Sequence, residues 1–196
     1  MKRAWMPSPR SASAVLAMCF AASALALSPV APDAAKKRSN ELTLARLRPG
    51  HDASSRALRL YKAPIDASED NGQRTWWNRC LAETLVIESD ASDRIQTIRL
   101  SRAAWVQSDC SAAPPSPWKT GKGLRLSDFT RHVIELYGAP DSRSPSTKGG
   151  QQLELLYYAF DWAGPDVPQV MEVLCTPEKD GIPGRVVEIT LAAPSL

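Results

Sequence analysis

The chain has 196 residues, 43% of them hydrophobic and 23% charged, which fits one or two ordinary globular domains and excludes disordered, collagen-like and coiled-coil classes. The formal charge of +3 suggests a polyanionic partner at first sight. Lys2, Arg3 and Arg10 account for it: beyond residue 26 there remain 21 basic and 21 acidic residues, so nucleic acid is not an expected partner.

Those three basic residues precede the Ala/Leu-rich stretch Ala12 to Leu27, and Ala24-Leu25-Ala26 places small residues where signal peptidase reads. Residues 1–26 are therefore expected to be a secretory signal peptide, and the location periplasmic or secreted. The apolar run is too short for a bilayer span of about 20 strongly apolar residues, so no transmembrane span is expected after cleavage. Met18 before Cys19 speaks against a lipid anchor there, because lipoprotein peptidase requires a small residue in that place.

Export makes oxidised cysteines the expectation. Cys175 ends the alternating run Val170 to Cys175 on the side of Met171 and Val173, and reads as a buried free thiol. Cys80 and Cys110 stand in polar surroundings and are expected to form a disulfide. No metal or cofactor is expected: there is no C-x-x-C, and His51 and His132 are distant in sequence from the cysteines.

The chain also carries an internal similarity. Leu60-Tyr61-Lys62-Ala63-Pro64 matches Leu136-Tyr137-Gly138-Ala139-Pro140, and Asp52 matches Asp128 at the same offset of 76. Arg94 to Leu100 matches Arg185 to Leu191 at an offset of 91. The fold class expected is α+β, with two tandem repeats, each a helix or helical hairpin packed on a three-stranded antiparallel meander. Residues 27–41 form a disordered lead-in, 42–110 the first repeat, 111–123 a Pro/Gly-rich linker and 124–196 the second repeat.

In the first repeat Ala53, Ala57, Leu58, Leu60 and Tyr61 mark the helix, followed by strands near 73–79, 84–89 and 94–101. Lys62 stands where the second repeat has Gly138, so a less well-formed helix end is expected. In the second repeat Phe129, Val133, Leu136 and Tyr137 share one helical face, Ser127 or Asp128 can cap its start, and strands fall near 151–160, 169–176 and 185–192.

Gly123 to Asp128, Val133 and Leu136 to Pro140 resemble the helix signature of the β-lactamase-inhibitor-protein fold and of the small SmpA/OmlA outer-membrane assembly domains. Pro49 to Asp52 and Tyr61 to Pro64 match it more loosely. The resemblance implies a protein-binding role, with partners docking on an open sheet face or its loops.

No G-x-S-x-G, H-E-x-x-H, Walker or Rossmann pattern supports an enzyme. The doublets Trp76-Trp77 and Tyr157-Tyr158 fall on predicted strands, where neighbours point to opposite faces. One member of each enters the core, and the other is a candidate binding anchor, as is Trp162 in a Gly/Pro loop. The function expected is a non-catalytic, inhibitor-like or envelope-assembly module bound to another protein. The alternatives are a structural accessory domain of the envelope without a binding face and, third, a small secreted hydrolase.

Overall fold

A computed structural model of the chain describes residues 40–68, 72–103, 116–161 and 169–194, all in the unit Ala35–Leu196. Helix α1 (Ser54–Tyr61) is followed by β1 (Asp66–Ser68), β2 (Gln73–Asn78), β3 (Glu83–Ser89) and β4 (Ile95–Arg102). Helix α2 (Thr130–Tyr137) is followed by β5 (Ser142–Lys148), β6 (Gln151–Phe160), β7 (Gln169–Cys175) and β8 (Val186–Ala192).

The strands make one eight-stranded antiparallel sheet in the order β1-β2-β3-β4-β8-β7-β6-β5. This overturns the expected fold class of two tandem helix-plus-meander repeats. The helices are only eight residues each, and each is followed by four strands rather than three. The physical cause is the pairing of β4 with β8. A separate meander would leave Ile95–Arg102 or Val186–Ala192 as an unpaired edge, and these two edges satisfy each other, with Ile98 opposite Leu191 and Leu100 opposite Ile189.

The strands that alternate in sequence are found close to their expected positions, because one face of each is core. Leu85, Ile87, Ile98, Leu100, Ile189, Leu191, Met171, Val173, Leu156 and Tyr158 are buried on the helix-bearing face. Strands β1 and β5 carry no such signal. The β5 residues Ser142–Lys148 are nearly all exposed and include Pro145, which is tolerated because the strand forms a sheet edge.

Helix α2 is not capped by the expected side chain. Phe129, not Ser127 or Asp128, is the N-cap of α2 and makes no side-chain cap bond. The Asp128 carboxylate instead accepts the Arg125 N–H at 2.8 Å, closing the turn before the helix. The two C-termini close alike, through Lys62 N–H to Leu58 O at 2.9 Å and Gly138 N–H to Ile134 O at 2.8 Å. Lys62 therefore adopts φ 66°, ψ −155°, a region almost confined to glycine, so the missing glycine appears as strain and not as a loose helix end.

Residues just before each helix contribute to the core. Leu44 and Thr120 form an antiparallel bridge, and Leu44, Leu47, Trp118 and Leu124 are buried. Glu41, 2% exposed, ties this region together. Its Oε1 accepts the N–H groups of Leu42, Thr43 and Gly121 at 2.9 to 3.0 Å. Its Oε2 accepts Lys122 N–H at 3.1 Å and the Tyr137 hydroxyl at 2.7 Å. Gly121 is required at that contact: a Cβ there would stand 2.6 Å from Glu41 Oε1.

Two predictions follow from these local forces. Lys62→Gly relieves the positive φ and should raise stability by about 1 kcal/mol, a rise in melting temperature of roughly 2 to 4 °C in a thermal scan. Glu41→Ala orphans the donors gathered on the carboxylate and should cost about 3 kcal/mol, read as a lower urea midpoint.

Candidate binding face

Period-two alternation sends the residues between the core positions to the face that bears no helix. Along one register row this face presents Thr75, Val86, Arg99, Thr190, Glu172 and Tyr157. A second row runs through Trp77, Thr84, Ser101, Glu188, Leu174 and Leu155.

The face curls at the β5–β6 end. Glu188 lies in register with Leu174, Leu155 and Ser144, and Lys148 is four residues farther along β5. In a flat sheet three strand spacings alone would be roughly 14 Å, and the shift along the strand would take the pair beyond side-chain reach. The Lys148 ammonium nevertheless bonds the Glu188 carboxylate, so the hairpin folds over the face. Leu153, on the same side, is only 5% exposed as a result.

The aromatic doublets divide between the two sides. Trp76 is 4% exposed and Trp77 42%. Tyr158 is fully buried and Tyr157 partly so. Each buried member bonds the carbonyl that ends the neighbouring helix: Trp76 Nε1–H donates to Lys62 O at 3.2 Å, and the Tyr158 hydroxyl donates to Gly138 O at 3.1 Å. Around them Tyr61, Trp76 and Trp118 meet edge to face, with centroids 6.1 and 6.0 Å apart, while Tyr137, Tyr158 and Phe160 lie within 6.2 Å of one another. Burial pushes the Tyr61 hydroxyl up to about 12, and burial with the nearby Glu41 carboxylate raises Tyr137 as well, so both remain neutral donors.

Trp77 and Tyr157 are not brought together. They stand on β2 and β6, five strand spacings or roughly 24 Å apart across a flat sheet, and bracket the face rather than form one hot spot. Trp162 lies outside the described residues, as do the signal segment and Cys110. Cys80 is disulfide-bonded, and Cys175 is a buried free thiol. Burial pushes the Cys175 thiol up to about 11, which keeps it protonated at neutral pH and denies it the thiolate form of a nucleophile. His132 pairs with Glu135 at 3.2 Å on the surface of α2.

Two cavities lie away from the open face. Thr130, the β5–β6 hairpin and the loop around Pro177 and Gly184 line a groove of about 720 Å³ on the helix-bearing side, where Arg143 pairs with Glu154 at 3.6 Å. A further cavity, of about 210 Å³, is lined in part by Glu83, Arg102, Ser116 and Arg125. Sequence reasoning missed Glu83, which sits on the core side of β3 and accepts a hydrogen bond from the Ser116 hydroxyl. Among the described residues no three His, Cys, Asp or Glu side chains converge in a way that could hold a metal, and no helix is long and apolar enough to cross a membrane.

No protein-family model and no curated protein matches the chain. Two crystal structures are similar to it. A DUF4309-family protein, YjgB of Bacillus subtilis, gives a TM-score of 0.41 at 12% identity, covering 75% of this chain and 82% of that one. A cysteine-rich secretory protein of Staphylococcus aureus gives 0.39 at 6% identity, covering 72% and 44%.

Burial lifts the Glu83 carboxyl above its usual range, against the opposing Ser116 hydrogen bond and the Arg102 and Arg125 charges. A raised folded-state value contributes stability at pH below the unfolded value, and that contribution is lost as pH rises through the folded one. The urea midpoint of Glu83→Gln, which keeps an acceptor for Ser116, should therefore rise relative to the parent as pH is raised above the ordinary carboxylate range.

Proposed function

We propose that the chain is an exported, non-catalytic protein-binding module that docks its partner on the open face of the sheet. One observation carries this reading: Trp77 is 42% exposed on that face while its neighbour Trp76 serves the core. A large aromatic left on a sheet surface is the kind of residue that dominates interface energetics. The partly buried Tyr157 on the opposite flank and the curl at the β5–β6 end support it, since a curved face with anchors at its sides suits a convex partner. The resemblance carried by Leu136 to Pro140 points the same way. Periplasmic or secreted location rests on the basic, apolar and small-residue order of residues 1–26. A Cys80–Cys110 bridge belongs to the same reading, Cys80 being disulfide-bonded.

The test is crosslinked capture from the protein's own envelope extract at physiological salt. A specific partner should be recovered by the parent chain and lost by at least about tenfold with Trp77→Ser, at a melting temperature changed by no more than about 2 °C. Trp76→Ala should instead cost about 3 kcal/mol of stability by opening the core. Undiminished capture by Trp77→Ser, or no specific partner at all, would overturn the reading.

A further inference from the structure

We infer that Tyr157 and Glu172 together form a receptor for a basic side chain, an arginine or lysine carried by an exposed segment of the partner protein. The inference rests on the open face being the docking surface and specifies the partner's chemistry there. Tyr157 and Glu172 are direct register partners on β6 and β7, which sets their Cβ atoms about 5 Å apart on the same side of the sheet.

The charges of the face single out this position. Glu88 pairs with Arg99 at 3.8 Å, and Glu188 is bonded by Lys148. Glu172, the remaining glutamate of the face, has no hydrogen-bonding or ionic partner among the described residues, and its neighbour across β8 is the uncharged Thr190. The imbalance agrees with the wider sequence, since residues 127–196 carry 10 acidic and 5 basic side chains.

The surroundings favour a cation with an apolar stem. Leu155 and Ala159 flank Tyr157, and Val170 and Leu174 flank Glu172, all of them partly buried. An aliphatic stem can lie on these side chains while its charged head meets the carboxylate and the negative face of the ring, which attracts cations within about 6 Å of the centroid. A guanidinium suits the pair best: it can bond a carboxylate bidentately and stack on an aromatic ring. A neutral partner would desolvate Glu172 and leave it unpaired.

Amide chemical shifts of the 15N-labelled protein, titrated with two blocked peptides, Ac-Gly-Leu-Arg-Leu-Gly-NH2 and the same peptide with norleucine for arginine, test the inference. The arginine peptide should shift the amides of residues 155–159 and 170–174 and bind about fivefold more tightly than the norleucine peptide. Glu172→Gln should remove that preference while its other amides keep their parental positions, and Glu88→Gln should retain it. Equal binding of the two peptides at these amides overturns the cation receptor and leaves the docking face standing. A preference that survives Glu172→Gln, or no shift at these amides, also overturns it. A response that appears only after Lys36, Lys37 and Arg38 are replaced by serine would mean that the chain's own basic segment fills the site, which is a different occupant from the one inferred. Failure of the docking reading itself shows separately, as undiminished partner capture by Trp77→Ser.

Discussion

The pairing of β4 with β8 is the contact on which the rest of this structure depends. Each of these strands, without the other, would expose a row of unpaired backbone groups beside a half-buried apolar face. Joined about the Arg99 and Thr190 pair, they turn two short meanders into a single sheet whose core face continues from Trp76 to Phe160. The same union creates the open face, since Trp77, Arg99, Glu172 and Tyr157 belong to one surface only because the strands between them are hydrogen-bonded without a break.

A second tie lies under the helices. Leu44 bridges Thr120, and the Glu41 carboxylate gathers backbone donors from both segments along with the Tyr137 hydroxyl. Buried carboxylates are costly unless their lone pairs are filled, and here five donors fill them. The helix ends are fixed from the other side by Trp76 and Tyr158, which bond the carbonyls of Lys62 and Gly138. The Trp76 and Tyr158 bonds act at corresponding places in the two halves, so each helix is held at its C-terminus to the strand that carries an aromatic doublet.

Much of this was legible along the chain. Alternation located β2, β3, β4, β6, β7 and β8 because each has one face in the core, and the Tyr-x-Ala-Pro segments located both helix ends. Strands β1 and β5 were not legible, since an exposed edge strand buries no periodic side chain. The role of Glu41 was hidden for another reason. Its partners lie close by at Leu42 and Thr43 but also some 80 to 96 residues away, and no local pattern marks a carboxylate that will be surrounded by distant amides. Glu83 was missed likewise, as its burial depends on Ser116 closing over it.

The sequence by itself determined both helices, the six strands with a core face, the basic-apolar-small order of residues 1–26 and the division of each aromatic doublet between two sides, because these depend on side-chain periodicity and charge order within a few residues. Only the tertiary structure decided that the strands form one sheet, which doublet members are buried, that Trp77 and Tyr157 stand apart, and that Glu172 stands opposite Tyr157 with no ion-pair partner among the described residues. Each of these follows from register and edge pairing between distant segments. Backbone hydrogen bonding can satisfy such edges within a half or across the two halves, and the matching apolar rows of Ile98, Leu100, Ile189 and Leu191 select the second.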